Sequence, residues 1–188
     1  LRVSTDPLAR IARVSVTPSN IPHEIIGANA VISGTSITLD STFATSLDPT
    51  AVLTASAVNL GSGQISIQLP DGADPQGTSG LILSSIALAN LQSVDALSLL
   101  SYSSIDIYGT GTITASNSLA LHAGEIRGFN NGGLVNFVGH TVTLDNSANA
   151  TMPGPVAVQN GTLQFDATTI QLGVGRLNID QFASVRQD

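Results

Sequence analysis

Along most of the chain the hydrophobic positions fall in pairs, separated by one small or polar residue and followed by a residue that turns the chain. Ile37-Thr38-Leu39-Asp40, Val58-Asn59-Leu60-Gly61 and Ile86-Ala87-Leu88-Ala89 are examples, as are Ile105-Asp106-Ile107-Tyr108 and Leu119-Ala120-Leu121-His122. The unit returns at Val142-Thr143-Leu144-Asp145, Leu163-Gln164-Phe165-Asp166, Ile170-Gln171-Leu172-Gly173 and Leu177-Asn178-Ile179-Asp180. Apolar residues at period two predict a strand with one buried and one wet face. The Asp or Gly that often stands fourth ends it. Strands this short do not support a sandwich of ordinary depth, where they run about five or six residues. Short strands at close intervals suit an all-β solenoid, in which each coil buries its inner row against the coils above and below. The expected inward ladder is Ile37, Leu39, Val58, Leu60, Ile105, Ile107, Leu119, Leu121, Val142, Leu144, Ile170 and Leu172. About 20 residues per coil gives about nine coils.

Departures from the pattern mark the organisation. Residues 1–27 fit the unit poorly and read as a lead-in strand or outer flap, and residues 28–188 as one rod. Polar stretches at 70–77 and 146–155 read as loops thrown out from it. The segment Leu81–Leu100, rich in Ala, Leu and Ser, is the one place where a helix competes, but Ser85-Ile86-Ala87-Leu88-Ala89 still alternates with period two. Glycines at Gly61, Gly63, Gly109, Gly111, Gly132, Gly133, Gly173 and Gly175 flank the units, where sharp corners need them.

Charged residues make up only 10 % of the 188 residues, against about 25 % in an average soluble domain. Six arginines supply all the basic charge and the net charge is −7. Nucleic acid is an unsuitable partner, because it demands a basic stripe that displaces phosphate counterions. With no Cys, disulfides, thiolate metal sites and Cys nucleophiles are excluded. The apolar runs are too short for a membrane span. The opening Leu-Arg-Val-Ser carries neither Met nor a signal peptide and reads as part of something longer.

Ser101-Tyr102-Ser103-Ser104-Ile105-Asp106-Ile107-Tyr108-Gly109, then Leu119-Ala120-Leu121-His122-Ala123-Gly124-Glu125-Ile126-Arg127-Gly128, resemble large bacterial exoproteins of the filamentous haemagglutinin type. So do Ser36–Ser41 and Gly63–Leu69, and the likeness extends from about residue 28 to 185. The resemblance implies a right-handed parallel β-helix with protruding loops, secreted across the outer membrane of Gram-negative bacteria through a partner pore, the two-partner route. It implies an interior or C-terminal-side segment of a larger exoprotein, located at the cell surface and acting in adhesion to a host or bacterial surface glycan or protein. The alternatives are a polysaccharide-active β-helix lyase or hydrolase and a phage-type fibre.

Candidate chemistry is sparse, and no catalytic, cofactor or metal set is expected. Asp40, Asp145, Asp166 and Asp180 each close a strand unit. Two of them at one corner of adjacent coils could form a sugar-cleaving or Ca²⁺ site, although Asp also caps turns, as Asp71 and Asp74 do on their Pro/Gly loop. His23, His122 and His140 lack metal spacing, and the last two read as corner residues. Glu125 and Arg127, two apart on one strand, face the same side as an exposed ion pair or a sugar-contacting pair. Tyr102 and Tyr108 lie in the most family-like phrase and are either packing residues or surface contacts. Asn149 and Asn160 each begin a glycosylation sequon. Asn130-Asn131-Gly132-Gly133 lacks the Lys of a phosphate loop.

Overall fold

The computed structural model describes residues 1–6, 21–75, 79–91, 93–154, 156–157 and 159–188. The chain is mainly β, and its sheets are built from parallel pairs with a single antiparallel exception. In chain order come β1 (Arg2–Ser4), β2 (His23–Ile26), β3 (Val31–Ser33) and β4 (Ser36–Asp40). Next are β5 (Ala44–Leu47), β6 (Val52–Thr54), β7 (Ala57–Ser62) and β8 (Ile65–Gln68). Then follow β9 (Leu81–Leu83), the short helix α1 (Ser85–Leu91), β10 (Ala96–Ser101) and β11 (Ser104–Tyr108). After these come β12 (Gly111–Thr114), β13 (Ser118–His122), β14 (Glu125–Phe129) and the long β15 (Leu134–Asp145). The chain closes with β16 (Thr162–Leu172), β17 (Asn178–Asp180) and β18 (Ser184–Gln187).

The apolar pairs stack on one another. In the first sheet, ordered β1-β4-β7-β10-β13-β15-β16-β18, Ile37, Val58, Leu97, Leu119, Val142 and Ile170 occupy successive register positions. Leu39, Leu60, Leu99, Leu121, Leu144 and Leu172 form the row beside them. The second sheet, ordered β17-β14-β11-β8-β9, aligns Ile179, Ile126, Ile105, Ile65 and Leu81. Apart from Leu172, these residues form or pack against one apolar core, with Ile170 and Ile179 only partly buried. Burial of each Leu or Ile contributes about 1.5–3 kcal/mol before chain entropy is counted. Strands β7, β10, β13 and β16 of the first sheet are each followed directly by a strand of the second.

Several expectations need correction. The unit at Ile86–Ala89 is not a strand but lies in α1, where Ala87, Leu88 and Leu91 are buried and Ile86 is exposed. Ala and Leu are strong helix formers, and the Ser84 hydroxyl accepts from the Ala87 N–H at 3.3 Å, capping the first turn. The β9–α1 excursion lengthens the interval from Val58 to its partner Leu97 well beyond the average of about 20 residues. Leu172 is not core: it is 77 % exposed, because β18 pairs only with Thr162–Phe165 and leaves the far half of β16 uncovered. Asp166 and His140 do not close strands; both lie inside the longer β16 and β15. Residues Arg2–Ser4 enter a sheet, with Val3 opposite Ile37 in the one antiparallel pair among the described residues. Arg10 and Arg13, and residues 76–77 and 155 of the two expected loops, lie outside the described residues.

Candidate functional site

Alternation fixes what the second sheet shows on its outer face. With Ile105, Ile107 and Ile126 inward, the outward positions are Ser104, Asp106 and Tyr108 on β11, and Glu125, Arg127 and Phe129 on β14. The parallel register places Ser104 beside Glu125, Asp106 beside Arg127 and Tyr108 beside Phe129. Each outward side chain therefore meets the residue one rung away. Arg127 Nε donates to Asp106 Oδ1 at 2.8 Å and its Nη2 to Oδ2 at 2.6 Å. This two-point fork is the strong form of the guanidinium–carboxylate contact. Gln64 Nε2 adds a third donor to Asp106 Oδ2 at 2.6 Å. The Tyr108 and Phe129 rings stack at 4.8 Å with 10° between their planes. Burial, then the Asp106 charge, raises the Tyr108 phenol above its ordinary pKa, with Arg127 opposing.

Glu125 and Arg127 share a face as expected, but they are not an exposed pair. Glu125 is fully buried and Arg127 is committed to Asp106. Glu125 Oε2 accepts from the Gly154 N–H at 3.1 Å, while Oε1 has no donor. Residues 146–154 lie over this strand end, with Thr151 O and Ala150 O nearest Gly124. That segment is also held by the Thr151 N–H on Tyr102 O at 3.3 Å. In its favoured amide orientation, Gln181 accepts from the Val156 N–H at 2.9 Å and donates to Gly128 O at 3.2 Å. Gly124 makes the close approach feasible, since a Cβ there would lie 2.6 Å from Thr151 O. Asp180 stands on β17 as the register partner of Arg127. Burial first, and then the neighbouring Asp180 carboxyl, raises the Glu125 pKa; the Gly154 N–H and the Arg127 charge oppose the rise.

The other candidates are dispersed. Tyr102 reaches Asp40, its hydroxyl 3.2 Å from Oδ1. The contact spans the rung held by Gly61, where a Cβ would collide with the Asp40 carboxylate. His122 and Asp145 are register partners, with Nδ1 2.6 Å from Oδ1. Burial alone would raise the Asp145 pKa; hydrogen bonds from His122 and Ser147 outweigh it, and the net shift is downward. Ser147 Oγ lies 3.4 Å from the same Nδ1. Nucleophile activation needs hydroxyl and carboxylate on opposite ring nitrogens, so this is a turn clasp. Asp71 accepts from the Thr110 N–H and hydroxyl, and Asp74 from Gln68. His23 packs edge-on against Phe43. Asn149 and Asn160 are exposed, and Asn149 has a left-handed φ of 51°.

A cleft of about 530 Å³ opens beside the aromatic stack, lined by Asp71, Gly109, Thr110, Phe129, Asn130 and Gly133 among others. Among the described residues Asp71 is the one acid lining it. Compared with known proteins, the chain matches no family model, no curated protein and no solved structure. No three His, Cys, Asp or Glu side chains among the described residues gather as a metal set. No described helix is long and apolar enough to cross a membrane.

Reading the sequence by units missed Asp106, the anchor of the outer-face network. The signal was present: Asp106 and Arg127 stand 21 residues apart, Asp106 in the polar position of its unit and Arg127 directly after the apolar Ile126.

Proposed function

We propose that the two parallel sheets are faces of one right-handed β-helix, and that the chain is a structural and adhesive stretch of a secreted exoprotein of the filamentous haemagglutinin type. The observation that carries this reading is the parallel register that stacks Ile37, Val58, Leu97, Leu119 and Val142 in one sheet and Leu81, Ile65, Ile105 and Ile126 in the other. Each rung buries its inner residues on its neighbours, which is how a solenoid acquires a core. Right-handedness follows from the strong preference of parallel crossover connections for that hand. The resemblance supplies the setting: the cell surface, the rest of a larger exoprotein, and a partner pore in the outer membrane. The contact surface is the outer face around Tyr108, Phe129 and the adjoining cleft, offered to a surface glycan or protein.

Polysaccharide cleavage is the competing reading, because an Arg does stand beside acids on the outer face. Asp106 is 1 % exposed and held by three donated hydrogen bonds, and Glu125 is buried. Glycoside hydrolysis needs two accessible carboxyl groups flanking the bond, and the cleft supplies Asp71 alone. The test is to immobilise the full chain, probe it with a glycan array and with bacterial and mammalian cells, and assay polysaccharides for released products. Retention on a glycan or cell surface without product release is expected. Released oligosaccharides, or no retention on any surface, would overturn the adhesive reading.

A further inference from the structure

We infer that Asn131 is a site of self-modification: the Gly132 backbone nitrogen displaces its side-chain amide and leaves an aspartate or isoaspartate on the rim of the cleft beside the Tyr108–Phe129 stack. The inference is independent of the adhesive reading.

The chain has two Asn-Gly steps, Asn131-Gly132 and Asn160-Gly161. Glycine puts no side chain beside the attacking nitrogen and lets the peptide reach conformations closed to other residues. The structure separates the two steps. Asn131 is exposed, and its side-chain amide makes no hydrogen bond among the described residues. The Gly132 N–H donates to none of them either. A Cβ at Gly132 would meet no atom within 4 Å, and its φ of +135° is one that glycine adopts without strain. The flanks are held: Asn130 Nδ2 donates to Gly132 O at 3.2 Å, and the Thr162 N–H to Gly133 O at 2.8 Å. The peptide that must rotate is therefore free while its surroundings stay in place. At the second step Gly161 is buried, a Cβ there would collide with the Asn130 amide, and its carbonyl accepts from the Ala183 N–H at 2.8 Å. Ring closure at Asn160 has to break that packing first.

The step balances with water and hydroxide as the only co-reactants. Hydroxide takes the Gly132 N–H proton, and the nitrogen bonds to Asn131 Cγ. The Cγ–Nδ2 bond breaks, and ammonia leaves with its electron pair and a proton from water. Water then opens the five-membered succinimide at either carbonyl, giving aspartate or isoaspartate. A carboxylate replaces a neutral amide, so a cleft lined by Asp71 gains a second acid. To test this, the full chain is kept folded at mildly alkaline pH for days and cut with chymotrypsin, whose sites after Phe129 and Leu134 part Asn131 from Asn160. Digestion in heavy-oxygen water marks any conversion that happens during the digest. Peptide mass spectrometry reads amide-to-acid conversion, and fragmentation tells isoaspartate from aspartate. Conversion at Asn131 is expected to outrun that at Asn160 by at least about tenfold, because the second requires local opening. In concentrated urea the two rates should converge. Asn131→Gln, whose longer side chain cannot close the five-membered ring, should abolish conversion in its peptide. The inference is overturned if Asn131 stays an amide in the folded chain, or if Asn160 converts as fast. It is overturned too if the product is aspartate with no isoaspartate, which would be direct hydrolysis by water and not attack by Gly132.

Discussion

Replacing Phe137 by Ala tests the stacked core most sharply. Phe137 is fully buried on β15, Phe165 is its register partner on β16, and Ile113 is its partner on β12. The two rings stack at 5.8 Å, 17° from parallel. An aromatic residue buries roughly 200 Å², most of it ring, so truncation returns about 3 kcal/mol at ~25 cal/mol per Å². Neighbours on both sides are fixed by strand pairing and cannot collapse into the space, which places the loss in the upper part of the ~3–5 kcal/mol range for such changes. Phe165→Ala should cost about as much. The double variant should cost less than the sum by about 0.5–1.5 kcal/mol, the worth of the ring pair itself. The chain has no Trp, so urea unfolding is followed by far-UV circular dichroism. A loss below about 1 kcal/mol for Phe137→Ala, or strict additivity of the pair, would mean that the rings do not stack inside the sheet and that the register is wrong.

Other outcomes follow from the same geometry. Asp106→Ala strands the Arg127 guanidinium and should cost about 3–5 kcal/mol, whereas Leu172→Ala, on an exposed position, should stay within about 0.5 kcal/mol; the same urea titrations decide both. Gly109 has φ +83° and its Cβ direction points at Gly72 N, 2.4 Å away, so Gly109→Ala should lose at least about 1–3 kcal/mol, read as a lowered melting temperature. Asp145 has a depressed pKa, so its contribution is present above the ordinary Asp range near 3.8 and is lost as the pH falls through the folded value. Asp145→Asn should therefore flatten the acid limb of the stability–pH curve, and an unchanged limb would refute the His122–Asp145 clasp.

The inner half of the fold was legible because period two is a local signal. Ile37, Leu39, Val58, Leu60, Ile105, Ile107, Leu119 and Leu121 are all buried as the alternation requires. Two misreadings have one cause. Ile86–Ala89 alternates as a strand does, but in α1 the buried face is Ala87, Leu88 and Leu91, a spacing that also suits a helix; four residues cannot separate the two periods. Leu172 carries the right pattern at an edge where no further strand pairs, and burial there depends on a neighbour rather than on its own unit. The outer face was harder still. Whether Arg127 meets Glu125, two residues away, or Asp106, one rung away, depends on register, and register here comes from long-range pairing.

Register also explains why the outer face has the chemistry it has. A parallel ladder holds neighbouring strands about 4.8 Å apart, which leaves each outward side chain no option but to meet its rung partner. The pairs that result are complementary: Asp106 with Arg127, Tyr108 with Phe129, His122 with Asp145. Where the rung partner cannot complement, something else has changed. Gly61 stands between Asp40 and Tyr102 so that they can touch across it, and Glu125, beside Ser104 and Asn178, takes the Gly154 N–H instead. The scaffold and the surface are thus set by one variable. A one-residue shift of β14 against β11 would turn the Arg127 charge into the apolar core and expose Ile126, so the outer pairs and the inner ladder select the same register.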